Sequence, residues 1–385
     1  MHTGPIFPST PARAGMYESF YLRAVSPSEP VGIWIRNTVQ KAPGSEPKGS
    51  VWCTIFDARA GRPFMHKLTA GPPRSPRGAW IAVGESPEDG QGGLIGPGEA
   101  HGRCGGARWS LRFRPRDGEL RHLPRSWLYR APLPRTKATS PMPIAEFEGT
   151  VDVEGRDPIQ LDSWPGMVGH NWGSEHAERW IWLHGLAFEG APAAWLDVVL
   201  GRVRLAGRLT PWVANGALSI DGRRLRLGGL GSRGLEVAES AEGCELTLSG
   251  EGGVSVAASV RVPSGAAAGW RYSDPGGGDH DVVNCSISEL ALSVRTPGAA
   301  APLMLASPHG AAYELGMREH DQGVPLAPFD DGCASGGWGS GAAARARVDA
   351  APRGRRRPRS VVHGPTPGST LIGRVADAAR RVAGA

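Results

Sequence analysis

The sequence predicts an all-β protein made of two antiparallel β domains, each a barrel or a sandwich, followed by a disordered basic tail. Glycine and proline are abundant, at 56 and 34 of 385 residues, and they divide the chain into short segments. Within these segments apolar and polar side chains alternate with period two, as in strands. Helical periodicity is scarce before the C-terminus, whereas an α/β sheet would need helices between its strands.

The first half of the chain is typical of successive up-and-down strands joined by short turns. Residues 31–41 alternate clearly, and residues 51–57 lead through a hairpin turn into residues 64–68. Four prolines between residues 124 and 141 predict an extended connector instead of a ladder strand. The remaining strands expected in this half are residues 17–24, 79–83, 101–104, 109–114, 120–123 and 147–153.

The second half repeats this texture and indicates a second β domain. Its clearest pattern is residues 254–262, where valine and alanine alternate with serine, alanine and arginine. Asp221-Gly222 is a strong two-residue hairpin signal. We therefore place an N-terminal β domain at 1–176, a C-terminal β domain at 177–332 and a Gly/Ala/Arg-rich tail at 333–385. The other strands expected here are residues 180–184, 194–200, 202–209, 217–220, 223–227, 245–248, 285–294 and 312–317.

The positive charge is concentrated in the tail. The net charge is +6, but residues 341–385 hold ten arginines against two aspartates, so the rest of the chain is close to −2. The body is therefore not expected to bind nucleic acid. A short helix could begin at Ser369 or Thr370. We keep two interpretations of this segment: a solvated, weakly helical tail, or a basic amphipathic segment that contacts an anionic membrane surface.

Cysteine usage indicates a reducing compartment. The five cysteines, at positions 53, 104, 244, 285 and 333, are scattered, odd in number and without a CxxC pair. We expect reduced thiols in a cytoplasmic protein. The first 30 residues lack the charged and apolar regions of a signal peptide, and no apolar run approaches the ~20 residues of a membrane span.

Residues 164–189 concentrate the groups that can stack on a ligand or move a proton. This stretch contains four tryptophans, three histidines and three glutamates. Three glycines and a proline in residues 165–173 predict an ordered turn that displays His170, Asn171 and Trp172. From Arg179 onward the pattern changes to a strand. One face of that strand carries Trp180, Trp182 and His184, and the other face carries Ile181 and Leu183.

Short motifs in this region resemble the carotenoid 1,2-hydratase (hydroxyneurosporene synthase)-like proteins, whose superfamily includes tocopherol-cyclase-like proteins and fungal lipocalin-like Diels–Alderases. The resemblance covers roughly residues 15–330. It implies two tandem lipocalin-like domains with a ligand cavity, no metal or organic cofactor, and isoprenoid or polyene substrates. The motifs that carry it are Gly169-His-Asn-Trp-Gly173, Trp180-Ile-Trp182, Tyr17-Glu-Ser-Phe-Tyr-Leu, Ile33-Trp-Ile-Arg, Trp127-Leu-Tyr and Pro134-Arg-Thr-Lys.

The chain departs from the family at one position. Family members often carry an acidic residue immediately before the motif histidine, and here that position is Gly169. An acid for alkene protonation would then have to come from elsewhere, and Glu175, Glu178 and Asp162 are the candidates to replace it.

Hydration or cyclisation of an unactivated alkene needs a carboxyl kept protonated by burial and aromatic faces that stabilise a cation. We assign His170, Glu175 and Asn171 as catalytic candidates. The ligand-binding candidates are Trp172, Trp180, Trp182 and His184. The competing interpretation is structural: tryptophans often pack in β cores, and His170 and Asn171 could simply fix the turn.

Two other chemistries have weaker support. His170, His176 and His184 suggest a zinc triad, but spacings of six and eight match no common zinc pattern, so no metal is expected. The loop at residues 276–281 is not followed by a helix that would bind phosphate. No Gly-x-Ser-x-Gly elbow precedes a helix.

Two functions remain open. The first is a cofactor-independent lyase or cyclase acting on a hydrophobic isoprenoid or polyene in a cavity between the two β domains. The second is a carrier or sensor that binds a lipophilic ligand without changing it. A carboxyl buried beside Trp180 and Trp182 would favour the enzyme, whereas carboxyls that are solvated or paired with Arg179 would favour the carrier.

Overall fold

The computed structural model describes residues 4–84, 90–205, 207–229, 234–318 and 323–327. Within these ranges the regular elements are β-strands and four short 3-10 helices, so the predicted all-β class is confirmed. None of the described helices has the length and apolar character of a membrane span. The 3-10 helices are Phe7–Ser9, Ala58–Ala60, Ser126–Tyr129 and Glu251–Gly253.

The strands form two large antiparallel sheets, one after the other along the chain. The first contains β1 (Met16–Val25), β2 (Val31–Lys41), β3 (Lys48–Asp57), β4 (Phe64–Thr69), β5 (Ile81–Gly84), β6 (Gly92–Ile95), β7 (Glu99–Cys104), β8 (Ala107–Pro115), β9 (Leu120–Arg121), β10 (Thr136–Val153) and β11 (Ile159–Gly173). The second contains β12 (Arg179–Gly185), β13 (Trp195–Arg202), β16 (Val213–Ile220), β17 (Arg223–Gly228), β18 (Glu236–Ser240), β19 (Gly243–Ser249), β20 (Ser255–Arg261), β21 (Ala268–Ser273), β22 (Asp279–Arg295) and β23 (Leu303–Met317), while β14 (Arg204–Leu205) and β15 (Arg208–Leu209) form a separate hairpin.

Both sheets follow the same plan, in which the opening strand pairs with the closing one. β1 lies between β2 and β11, and β12 lies between β13 and β23. The first sheet curls until its ends approach, because Val83 of β5 lies 2.8 Å from where a side chain on Gly49 of β3 would begin. A nearly closed, barrel-like sheet followed by a second antiparallel sheet confirms the predicted fold class. The chain passes from the first sheet to the second between Gly173, where β11 ends, and Arg179, where β12 begins. The division into domains at residue 176 stays a prediction.

Alternation explains why these segments are strands. In β8 the residues Trp109, Leu111 and Phe113 are buried in the first core, while the intervening Ser110 and Arg112 are exposed. The same logic separates the faces of β2: Ile33 and Ile35 enter the first core, but Trp34 joins the core of the second sheet. The outer face of β2 is therefore covered by the second sheet, whereas that of β8 is open to solvent.

Three sequence predictions were wrong in detail. Residues 165–173 are not a turn but the end of β11, because their glycines allow close approach of neighbouring strands and rings. The proline connector ends before Thr136, and Pro141 and Pro143 are accommodated in β10 at shifts of register. Residues 202–209 are not one strand, since β13 ends at Arg202 and the β14–β15 hairpin follows. The predicted tail at 333–385 and its helix lie outside the described residues.

Candidate functional site

The predicted alternation of β12 is confirmed, and it places the candidate face between the two sheets. Ile181 and Leu183 enter the second core. Trp182 lies against the ring of Tyr21 on β1, with ring centroids 5.3 Å apart. His184 contacts Arg23, also on β1. We call the surface where β12 and β23 meet β1 and β11 the sheet junction.

Two glycines make room for aromatic rings at the sheet junction. A Cβ on Gly316 of β23 would lie 2.1 Å from the Trp180 ring. A Cβ on Gly169 of β11 would likewise lie 2.1 Å from Cζ of Tyr21. Gly169 is the position where the resembling family often carries an acid, so in this chain the ring of Tyr21 fills the space that such a side chain would need.

Trp180 donates its indole N–H to a buried carboxyl. The acceptor is Oε1 of Glu314 on β23, at 2.9 Å, and Glu314 is only 9% exposed. The other oxygen of Glu314 accepts hydrogen bonds from the Tyr272 hydroxyl at 3.0 Å and from the Asn284 amide at 3.2 Å. The carboxyl is thus held by neutral donors, and Arg179 instead pairs with Glu239.

Trp182 is also bonded to a buried carboxyl. Its indole donates to Asp197 on β13 at 3.1 Å, and Asp197 also accepts from Ser140 and lies 3.6 Å from His122. Burial alone would raise the pKa of Asp197, but the neighbouring imidazoles of His122 and His184 and the hydrogen bonds from His122 and Ser140 together lower it. Asp197 is therefore an anion, suited to stabilise positive charge and not to donate a proton.

His184 and Arg23 form the dry centre of the sheet junction. The guanidinium of Arg23 donates to Nδ1 of His184 at 2.9 Å, so Nε2 carries the proton and donates to the carbonyl of Pro143 at 2.8 Å. Burial lowers the pKa of His184 to about 4 and that of Arg23 to about 9. His184 is consequently a neutral, fully engaged imidazole near neutral pH.

The predicted catalytic group of β11 lies next to the N-terminal segment. His170 donates to Glu18 at 2.7 Å and stacks between Phe20 and Trp172. Glu18 also accepts the backbone N–H groups of Ile6 and Phe7, so this cluster anchors the start of the chain. Asn171 accepts a hydrogen bond from Ser19 on β1.

The proposed replacement acids lie away from the buried indole contacts. Glu175 is ion-paired with Arg135 and Arg318 and is about one-third exposed, with 34% of its side chain accessible. Glu178 pairs with Arg204 and Arg318, and Asp162 is exposed. The sequence thus did not reveal Glu314 or Asp197, because each sits alone among apolar residues in its strand and meets the indoles only in the folded sheet.

A second polar cluster lies next to Trp180. Asp274, just after β21, accepts from the backbone and Nδ1 of His176 at 2.8 and 2.7 Å and lies 3.9 Å from Nδ1 of His280. Burial lowers the pKa of His176, against the effect of Asp274, and lowers that of His280 to about 4. Sequence spacing could not predict this cluster, because Asp274 and His280 lie about a hundred positions after His176 and only the fold brings them together.

A cleft of about 1780 Å³ lies between the β3–β4 turn of the first sheet and strands β19, β20, β22 and β23 of the second. Its wall is largely apolar and includes Met65, Val260, Leu290 and Pro325. Glu245 projects into it, and partial burial raises the pKa of that carboxyl. None of the seven residues assigned from the sequence lines this cleft.

Sequence comparison leaves the activity open. No protein-family model matches the chain. Two uncharacterized proteins of Mycobacterium tuberculosis, Rv0493c and MT0513, are each 30% identical over 174 residues, which is 44% of this chain and 49% of theirs. The chain therefore spans about half the length of the curated relatives it matches.

Structural comparison identifies the fold. The chain is similar to the crystal structure of CghA, with a TM-score of 0.53, 13% identity, and coverage of 79% of this chain and 88% of CghA. Kievitone hydratase from Nectria haematococca aligns at a TM-score of 0.45 and 10% identity over 84% of this chain and 94% of its own. The likeness to CghA confirms the lipocalin-like fold that the sequence motifs implied.

Proposed function

We propose that this protein is a hydratase-like lyase or cyclase that acts on a hydrophobic isoprenoid or polyene at the sheet junction, without an organic cofactor. The observation that carries the proposal is Glu314, a buried carboxyl whose oxygens contact the indole of Trp180 and the hydroxyl of Tyr272. A carboxyl next to aromatic rings is the combination that alkene protonation requires.

In the proposed cycle Glu314 enters as the acid. Its proton adds to one carbon of the double bond, and the π electrons form the new C–H bond, which leaves a carbocation and a carboxylate. Water then adds to the cation, and the carboxylate takes the proton of the resulting oxonium. In a cyclisation a second double bond attacks the cation instead, and a C–H proton returns to the carboxylate. The faces of Trp180 and Tyr272 and the anion of Asp197 stabilise the positive charge.

Placement favours Glu314 over the acids named from the sequence. Glu175 is about one-third exposed and is ion-paired with two arginines. His170 is committed to Glu18. The hydrogen bonds that Glu314 accepts come from the neutral side chains of Trp180, Tyr272 and Asn284, and not from a charged partner.

Incubation of the purified chain with isoprenoid alcohols and polyenes, followed by mass spectrometry, tests the proposal. We expect a product heavier by one water or an isomer of the substrate. Glu314→Gln should lower kcat about 10²- to 10⁴-fold, the range for loss of a general acid. Glu148→Gln, at an exposed carboxylate of β10, is the matched control and should keep full activity. Full turnover by a folded Glu314→Gln protein removes Glu314 as the acid.

The cleft favours a second candidate function, the binding of a lipophilic ligand without chemistry. Its largely apolar wall fits a hydrophobic molecule. Native mass spectrometry after exposure to a lipid extract would then show an unchanged ligand. Ala291→Trp, which fills the wall of the cleft, should abolish retention, whereas Glu314→Gln should not. A chemically altered ligand contradicts the carrier function.

A further inference from the structure

We propose that His176, Asp274 and His280 form a binding site for one first-row divalent metal ion, with Zn²⁺ as the preferred occupant. One nitrogen from each imidazole and one carboxylate oxygen lie within 4.8 Å of one another. Two imidazoles and a carboxylate are a ligand set that zinc accepts, with a further position left for water or substrate. This inference goes beyond the proposed function, whose acid chemistry uses no metal.

The second observation is the lack of protein partners for buried ring nitrogens. His280 is 0% exposed, yet among the described residues neither of its ring nitrogens has a hydrogen-bond partner, and the same holds for Nε2 of His176. A buried polar group without a partner costs about 1–3 kcal/mol, so natural proteins rarely leave one unused. One of these nitrogens, Nδ1 of His280, lies 3.9 Å from the carboxylate of Asp274, which indicates that a ligand between them is its partner.

The three side chains are held by rigid elements. Asp274 and His280 belong to the β21–β22 hairpin, in which the backbone N–H of Asp274 donates to the carbonyl of Gly278 at 2.9 Å. His176 stacks on Tyr17 with ring centroids 3.9 Å apart and an interplanar angle of 11°. Ligands in a tetrahedral site are about 3.4 Å apart, so the longest separation must close by only about 1.4 Å.

The surroundings orient the carboxylate as outer-shell groups do in metal sites. Arg318 donates to Oδ2 of Asp274 at 2.9 Å, while Oδ1 faces His176 at 2.7 Å. The guanidinium charge opposes a cation, but Glu175 and Glu178 pair with Arg318 at 3.0 and 3.1 Å and offset it. The ligand set has no thiolate, which disfavours Cu(I), and two imidazoles disfavour Ca²⁺ and Mg²⁺.

Metal binding to the full, tag-free chain tests the proposal. After treatment with a chelator, the protein is dialysed against equal concentrations of Zn²⁺ and Fe²⁺ without oxygen, and its metal content is measured. We expect close to one metal ion per chain, with zinc exceeding iron. An excess of iron overturns the preference for zinc, and binding of neither ion overturns the site.

Variants locate the ion. His280→Gln should reduce the content at least tenfold, whereas His101→Gln, a histidine on β7 of the first sheet, should leave it unchanged. Equal metal content in the wild type and in His280→Gln overturns the proposal. If His280→Gln does not fold, X-ray absorption spectroscopy of the zinc-loaded wild type tests the site instead. The proposed site requires two imidazole ligands, so a spectrum without imidazole scattering refutes it. Metal content does not depend on turnover, so its outcome is independent of the Glu314 experiment.

Discussion

Gly169→Ala adds only one methyl group, but it should destabilise the protein strongly, because that methyl group would overlap the ring of Tyr21. The Cβ would lie 2.1 Å from Cζ and 2.4 Å from the hydroxyl oxygen of Tyr21. Ordinary carbon contacts are about 3.5–4.0 Å, so the ring or β11 must move by roughly 1.5 Å. Tyr21 is 8% exposed and packs against Trp182, which restricts that movement.

Overpacking of this kind costs about 1–3 kcal/mol, and at about 2–4 °C per kcal/mol the expected fall in Tm is roughly 2–12 °C. Thermal unfolding followed by circular dichroism measures it. The matched control is Gly201→Ala on β13, where the nearest atom would be Ala177 Cβ at 3.6 Å, an ordinary contact, and where Tm should change by only about 1 °C.

The cause can be isolated by a double-mutant cycle. In a Tyr21→Ala background the space at Gly169 is free, so Gly169→Ala should then cost less than about 1 kcal/mol. Equal penalties in both backgrounds, or no penalty in the wild type, would refute the packing argument. The same reasoning predicts that Gly169→Asp cannot place a carboxyl where the resembling family often has one, unless Tyr21 is also replaced by a smaller residue.

Two further predictions follow from the sheet junction. The pKa of His184 is about 4 in the folded protein, against a value near 6.5 in the unfolded chain. Because the unfolded chain binds the proton more readily, the free energy of unfolding should be roughly 3 kcal/mol higher above pH 6.5 than below pH 4, and it should fall as the pH drops through that range. His184→Gln should flatten the rise of the urea midpoint between pH 4.5 and 7.5, and an unchanged slope would contradict this account. Trp180→Phe removes one donor from Glu314 and should cost about 1–3 kcal/mol in urea unfolding, whereas Trp127→Phe, at a side chain 64% exposed, should cost nothing measurable. Equal stabilities of these two variants would argue against a role for the indole hydrogen bond.

The local pattern of the chain was sufficient to identify much of the fold. Period-two alternation identified β2, β3, β8, β12 and β20, because a strand that is buried on one face has an apolar side chain at every second residue. Strands without clear alternation were not predicted. The glycines of residues 165–173 read as a turn, but they serve a strand that rings and neighbouring backbone approach closely. β18 and β21 were also missed, since both are short and weakly patterned.

The candidate site divides in the same way. The sequence alone determined that Trp180, Trp182 and His184 share one face, because neighbouring side chains on a strand point to opposite sides. It could not determine what that face meets. Glu314, Asp197 and the His176–Asp274–His280 cluster are brought to it from strands and turns up to 134 residues away. Alternation is a property of adjacent residues, whereas these partners are set by strand order and by the packing of one sheet on the other, which only the tertiary structure decides.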